Sequence, residues 1–402
     1  MKLLQVIASM DPATGGTSQG VRNTNNELIK LGVNIEVVCM DDPSASFLGH
    51  DNFPVHALGP SVTTWQYSAN LLPWLLENIF RFDVIIVNGL WLYHGYAVQK
   101  AILRLKKAIA MQNIKLTVPK VFVMSHGMLD PYFQQAKGRQ LKAIRNNLYW
   151  RFIESKLING CNGVLFTCET ELKLARESFH PYRPKREINV SYGTFMPPLY
   201  NIDMREEFIK KCSNVQGGVQ YLLFISRIDE KKGVDLLIEA YINILHKQEQ
   251  DEEIPKLVIA GPGLNTAYGQ QMVKLAEAYS DYIIFTGMLT GDAKWGAFYG
   301  CQAFILPSHQ ENFGIAVVEA LACGKPALIS NQVNIWPEVK FEGCGLVAED
   351  TLKGTEDLLE SWINLPYDDK IEMGMYARFC FEKNFDISKT SIKFLDAVSN
   401  PY

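Results

Sequence analysis

The sequence predicts an α/β protein built from two doubly wound, parallel-sheet domains. Three observations lead there. The chain has 402 residues, too many for one ordinary α/β domain and about right for two. Short apolar runs alternate with longer amphipathic stretches along nearly its whole length. Between 195 and 218 that alternation breaks: Pro197 and Pro198, a charged helical stretch, and then Gly217 and Gly218 punctuate the chain.

In the first half the strand candidates are 2–8, 34–40, 83–89, 120–126, 163–168 and 187–193. In the second they are 220–226, 256–261, 282–287, 303–308, 326–330 and 345–348. Most are continuous apolar runs, as expected of strands covered on both faces of a parallel sheet. The expected domains are 1–200 and 201–379. The final segment, 380–402, carries a helix at about 384–398 that comes after the second sheet is complete, and it is expected to pack back on the first domain. Ligands of such sheets bind beyond the carboxyl ends of the strands, so two facing sheets would make an interdomain cleft.

The composition narrows the function. Net charge is -4, which gives no basic field for nucleic acid. No apolar run reaches membrane-spanning length. The N-terminal MKLLQVIASM reads as a buried first strand rather than a signal peptide, because Asp11 interrupts it and a Gly-rich turn follows. The eight cysteines form no CxxC pair, which fits buried small side chains in a reducing cytoplasm. The seven histidines lack metal-ligand spacing and no Asp-x-Asp occurs, so neither metal nor cofactor is expected.

Four groups of residues follow predicted strands. In ENFGIAVVEALACGKP, Glu311 and Glu319 stand eight residues apart. At helical rise that spans ~12 Å, too far for both carboxylates to flank one glycosidic bond but suited to two contacts along an extended ligand. Asn312, Phe313, Gly314 and Ile315 would offer free amides at a helix start. The alternative is a capping Glu311 and a solvated Glu319. In FISRIDEKKG, Arg227 and Lys232 place two cations where a diphosphate could be neutralised without a metal; a solvated turn is the alternative. Gly15 and Gly16 follow the first strand and open a helix, allowing close approach of a ligand. His126, in SHGMLDP, could hydrogen-bond a sugar hydroxyl or serve a structural role.

Together these pieces resemble the retaining GT-B glycosyltransferases of family 4, the glycosyl transferases group 1. The resemblance rests on Gly15-Gly16, SHG at 125–127, SYGT at 191–194, SRIDEKKG at 226–233, AGPG at 260–263, FTGMLTGD at 285–292 and FILPSHQENFGIAVVEALACGKP at 304–326. Two positions depart from the family pattern. Ser226 stands where glycine often precedes the motif arginine, and Ser191-Tyr192-Gly193 replaces the usual Pro-Asn-Gly near the hinge.

The resemblance implies a catalytic set of His126, Arg227, Lys232 and Glu311. Arg227 and Lys232 would grip the donor diphosphate, with Gly15 and Gly16 approaching it from the other domain. Glu319 would bond the ribose. Glu311 and the amides of Asn312, Phe313, Gly314 and Ile315 would hold the sugar, and Gly287, Met288 and Leu289 would face the base. His126 would lie beneath the anomeric region. The activity implied is transfer of a hexosyl group, glucose from UDP-glucose in the first instance, to a glycan or lipid-linked glycan in polysaccharide biosynthesis. A catalytically silent sugar-nucleotide-binding subunit is the alternative, as is a phosphorylase or epimerase on the same frame. The basic, aromatic segment 137–158 is either a core-packing amphipathic helix, the preferred reading, or a peripheral contact with the inner face of the plasma membrane.

Overall fold

The computed structural model describes residues 1–112, 116–135, 140–247 and 254–400. The chain forms two compact units, Met1–Gly193 joined by the segment from Ile387 onward, and Thr194–Asp386. The junctions thus lie at 193/194 and 386/387 rather than at 200/201 and 379/380. Local packing sets them. A Cβ on Gly193 would come within 2.2 Å of the Thr390 hydroxyl, so this residue lies flush against the final helix, Ile387–Ser399. Thr194 instead pairs with Asp386, its amide donating to Phe385 O at 3.0 Å.

In the first unit β1 (Lys2–Ile7), β2 (Asn34–Cys39), β3 (Val55–Ala57), β4 (Val84–Asn88), β5 (Lys120–Met124), β6 (Gly163–Phe166) and β7 (Glu187–Asn189) form one parallel sheet. Their order is β3-β2-β1-β4-β5-β6-β7. In the second unit β8 (Tyr221–Ile225), β9 (Lys256–Ala260), β10 (Ile283–Gly287), β11 (Ala303–Leu306), β12 (Ala327–Ser330) and β13 (Gly345–Ala348) order as β10-β9-β8-β11-β12-β13. Both sheets reverse winding direction once, between β1 and β4 and between β8 and β11, and such a switch point opens a crevice at the strands' carboxyl ends. The central strands are buried throughout: all five residues of β4 and all but the last of β8 lack appreciable exposure. Only β3 has no counterpart among the predicted strands, because its three half-buried residues form no apolar run.

The helix Ile387–Ser399 packs on Gly16–Lys30 in the first unit, and the Lys120 ammonium donates to Ser399 O at 2.8 Å. Of the segment 137–158, residues 137–139 lie outside those described. Gln140–Tyr149 is α-helical, Trp150–Glu154 forms a π-turn, and Ser155–Gly160 resumes the helix. Its expected core packing holds for Trp150, Leu157 and Ile158. It fails for Leu141, Ile144, Leu148 and Phe152, each more than half exposed. The helix therefore carries apolar residues on two faces, and only one of them meets the sheet.

Candidate active site

In the second unit the site spans the β8/β11 switch point. After β8, Arg227 is exposed, and a 3-10 turn, Glu230–Lys232, is capped by the Asp229 carboxylate accepting from Lys231 N at 3.1 Å. Gly233 closes it in the left-handed region at φ 65°. A side chain there is excluded twice over, since a Cβ would lie 2.1 Å from Pro307 O. The Lys231 carbonyl then accepts from His309 N and Ser308 Oγ, both at 2.9 Å. These contacts stitch the turn to the segment leaving β11, where Glu311 stands.

Lys232 is only 6% exposed, and its ammonium donates to the Glu311 carboxylate. The Glu311 backbone is held as well: its N–H donates to Gln332 O, and its carbonyl accepts from Asn334 N, both at 2.9 Å. Burial alone would push the Glu311 carboxyl up. The field and hydrogen bond of Lys232, joined by Lys231 and the Phe313 amide, outweigh it and hold the carboxyl below its ordinary value. Gly314 caps the helix Ile315–Ala322, and Phe313 packs edge-on against Phe385, 5.6 Å between ring centroids. One turn into that helix, Glu319 accepts from Lys294 Nζ at 2.8 Å, and the same ammonium lies 4.2 Å from the Trp295 ring centroid. Glu319 is thus neither solvated nor unpaired. Gly287 ends the edge strand β10, followed by exposed Met288 and buried Leu289.

In the first unit a buried polar chain crosses the β1/β4 switch point. Asn25, on the helix that Gly16 opens, accepts from Gln5 Nε2 at 3.0 Å. Gln5 Oε1 accepts from Asn88 Nδ2 at 2.8 Å, and Asn88 Oδ1 lies 3.1 Å from His126 Nε2. Because the Asn88 amide spends its nitrogen on Gln5, its oxygen faces the ring, and His126 Nε2 must carry the proton. Burial lowers the His126 pKa to about 4, so near neutral pH the ring is uncharged and Nδ1 is an acceptor. The backbone of His126 sits at φ 49°, an unusual setting for a non-glycine residue. Glu171 sustains it, its buried carboxylate accepting from Ser125 Oγ (2.7 Å), Gly127 N (2.6 Å), Thr167 N (2.7 Å) and Thr167 Oγ1 (2.6 Å).

Tyr192 completes this cluster of the first unit. Its ring meets His126 edge-on at 6.4 Å, and its hydroxyl donates to Gly16 O at 3.1 Å. Space for it exists because residue 20 is glycine: a Cβ there would fall 1.1 Å from the Tyr192 hydroxyl oxygen.

Residues 205–379 match the family model for glycosyl transferases group 1, and residues 15–193 match the glycosyl transferase 4-like domain.

The chain is a GT-B glycosyltransferase of family 4.

It is 26% identical over 234 residues to an uncharacterized glycosyltransferase of Methanocaldococcus jannaschii, covering 52% of this chain and 58% of that protein. The chain thus spans little more than half the length of that curated relative. A glycosyltransferase structure from Rickettsia africae aligns with a TM-score of 0.73 at 16% identity, covering 99% of this chain and 97% of that one. Anabaena HepE in complex with UDP and glucose aligns at 0.68 and 14% identity over all of both chains. At these identities the solved structures speak to the fold.

The glycosyltransferase brings Lys232 and Glu311 into direct contact, with Asn312 to Ile315 and Glu319 following on the same loop and helix. Arg227, Gly287, Met288 and Leu289 sit at the same sheet's carboxyl edge. Gly15, Gly16 and His126 belong to the other unit, linked through Tyr192 and the polar chain. Sequence reasoning passed over Gln5, Asn25, Asn88, Glu171 and Lys294, and marked Tyr192 only as a departure from the family pattern. One signal was available: Gln5 is the only polar residue between Leu3 and Ile7, and a buried strand rarely tolerates one without a partner.

Two consequences follow for the glycosyltransferase. Gly20→Ala must displace the Tyr192 ring, and with it a contact of His126. A loss of about 2–4 kcal/mol is expected from overpacking and the broken hydrogen bond, read as the shift in urea midpoint. A second change, Tyr192→Phe, should leave the Gly20→Ala penalty largely in place, since the ring remains; full rescue would show that the hydroxyl alone is responsible.

The second concerns Glu154, in the π-turn, whose Oε1 accepts from Trp91 N at 2.5 Å and whose buried Oε2 has no hydrogen-bond partner among the described residues. Burial raises its carboxyl to about 7, against the Trp91 amide. A carboxyl whose folded pKa is raised stabilises fully below its unfolded value, near 4.5, and loses that contribution as pH rises through about 7. Glu154→Gln, which imitates the protonated form, should therefore gain ~3 kcal/mol relative to the native chain between pH 4.5 and 8. Parallel stability profiles for the two proteins would refute it.

Proposed function

We propose that this glycosyltransferase transfers a hexosyl group, with retention of configuration, from a nucleotide diphosphate sugar to a glycan or lipid-linked glycan. UDP-glucose is the first candidate donor. The bond from the anomeric carbon to the β-phosphate oxygen breaks, and the nucleoside diphosphate departs with its electron pair. The acceptor hydroxyl forms the new glycosidic bond on the same face and gives up its proton to the departing phosphate oxygen. The observation that carries this reading is the buried Lys232–Glu311 pair at the β8/β11 switch point, a rigidly held cation where leaving-group charge would develop. Arg227, at the same edge, adds the second positive charge, so the diphosphate is met by side chains without a divalent metal. Neutral His126 presents an acceptor, suited to a sugar hydroxyl rather than to a phosphate. The co-complex of Anabaena HepE with UDP and glucose supports a uridine donor on this fold.

A thermal-shift series with UDP-, GDP- and ADP-glucose, each with excess EDTA, tests the donor. UDP-glucose should raise the melting temperature most, and chelation should not alter it. A larger shift with GDP- or ADP-glucose would reassign the base, and no shift with any of them would overturn the nucleotide-sugar reading. The anomeric configuration of the transferred sugar, by NMR of the product, decides retention.

A further inference from the structure

Within the first unit, residues 140–160 carry a surface that none of the candidate site residues uses. Leu141, Ile144, Leu148 and Phe152 line one side of the helix and π-turn, each more than half exposed. Spacings of three and four residues keep them on one stripe. Trp150, Leu157 and Ile158 already fill the core on the other side, so the outer stripe is not surplus core.

The charges around the stripe are one-sided. Lys142, Arg145, Arg151 and Lys156 are all exposed, while the only acidic residue in 140–160, Glu154, is buried. In a chain of net charge -4 this is a local concentration of positive charge. Arg151 also lines a cleft of about 480 Å³ with His180, Pro181, Tyr182 and Arg183. Among the described residues, neither Arg151 nor Arg183 has a carboxylate within ion-pair distance. Two unopposed guanidinium groups at the rim of an apolar stripe match the phosphate of a lipid headgroup, with the acyl region beside it. No described helix is long and apolar enough to cross a membrane, so contact along the surface is the geometry available to this face.

We propose that this face docks on an anionic phospholipid bilayer. Leu141, Ile144, Leu148 and Phe152 enter the headgroup–acyl boundary, and Arg151 and Arg183 receive a lipid phosphate. The helix starts on the chain leaving β5, the strand that leads into His126, so docking would hold the first unit's sheet edge near lipid-borne acceptors. The docking itself is independent of the transferase reading.

Co-sedimentation of the full chain with large unilamellar vesicles tests it. Vesicles of phosphatidylcholine alone are compared with vesicles containing about one-third phosphatidylglycerol. The native protein should partition onto the anionic vesicles at least tenfold more strongly, and 0.5 M salt should erase most of the difference. Arg151→Glu with Arg183→Glu should weaken anionic-vesicle binding by about 30-fold or more. Ile144→Ser, Leu148→Ser and Phe152→Ser together should weaken it at least tenfold. All these positions are exposed, so melting temperature and nucleotide-sugar thermal shifts should stay at native values, which separates this outcome from failure of the donor site. Absence of vesicle binding by the native protein would overturn the proposal. So would binding that is indifferent to lipid charge or unaffected by the serine substitutions. A dimer in solution that those substitutions dissolve, without vesicle binding, would assign the face to a second copy instead.

Discussion

Lys232→Ala should lower turnover about 10²-fold or more, and it should do so even at saturating donor. The side chain is almost wholly buried and held against Glu311 by a turn stitched to the segment leaving β11. A cation fixed in that way needs no reorganisation when charge develops on the departing phosphate oxygen. The substitution also has a structural cost, because it strands the Glu311 carboxylate. Breaking a fully buried pair costs roughly 3–5 kcal/mol. Glu311 keeps 22% side-chain exposure and the Phe313 amide, so a smaller loss, about 2 kcal/mol, is expected. The pH dependence has a definite sign. In the native protein the Glu311 pKa is depressed, so its contribution is present above the unfolded carboxylate value and is lost as pH falls through the folded one. The stability gap between native and Lys232→Ala should therefore be widest near pH 7 and narrow toward pH 4. Adding Glu311→Gln should recover stability without recovering turnover. Glu319→Ala is the contrast: its carboxylate is paired with Lys294 and would face a part of the donor that does not react, so donor affinity should fall by about 1.5–3 kcal/mol with turnover largely kept. Equal loss of saturated turnover in both variants would contradict this division.

His126→Ala should abolish most transfer and leave nucleotide affinity nearly intact. The cations and carboxylates assigned to the donor belong to the second unit, and His126 belongs to the first. Its contribution is then expected in the reacting state rather than in nucleotide binding. The polar chain sharpens the prediction. His126→Asn retains a side chain that can both donate to Asn88 and offer an acceptor, so it should keep more activity than alanine. His126→Phe should keep none. With the imidazole pKa lowered to about 4, no change in rate near pH 6.5 should trace to this residue. Affinity, melting temperature and transfer rate measured on one His126→Ala preparation distinguish the possibilities. Unchanged transfer per folded molecule would exclude a catalytic role, and a parallel loss of nucleotide binding would place the ring against another part of the donor.

The sequence by itself determined the two parallel sheets. Twelve of the thirteen described strands have a counterpart in the sequence, and the central ones are runs such as VIIVN and KLVIA, whose continuous apolar character has one low-energy solution: burial on both faces. It also marked the segments that follow the strands and carry Arg227, Lys232, Glu311 and Glu319, because strand ends and helix starts leave local signals. What only the tertiary structure decided is which of those groups meet. Lys232 and Glu311 are 79 positions apart in the chain and become partners because β8 and β11 are neighbours in the sheet, an order that no local pattern encodes. The tautomer of His126 likewise depends on Asn25, Gln5 and Asn88, which come together only across the other switch point. The departure at Tyr192 acquired a purpose once Gly20 and Gly16 were seen beneath it. Periodicity reports whether a side chain is buried, and it did so correctly for Trp150 and Leu157. It cannot report that a second apolar stripe on the same helix is left more than half exposed, because burial on one face is decided by what lies opposite it in space.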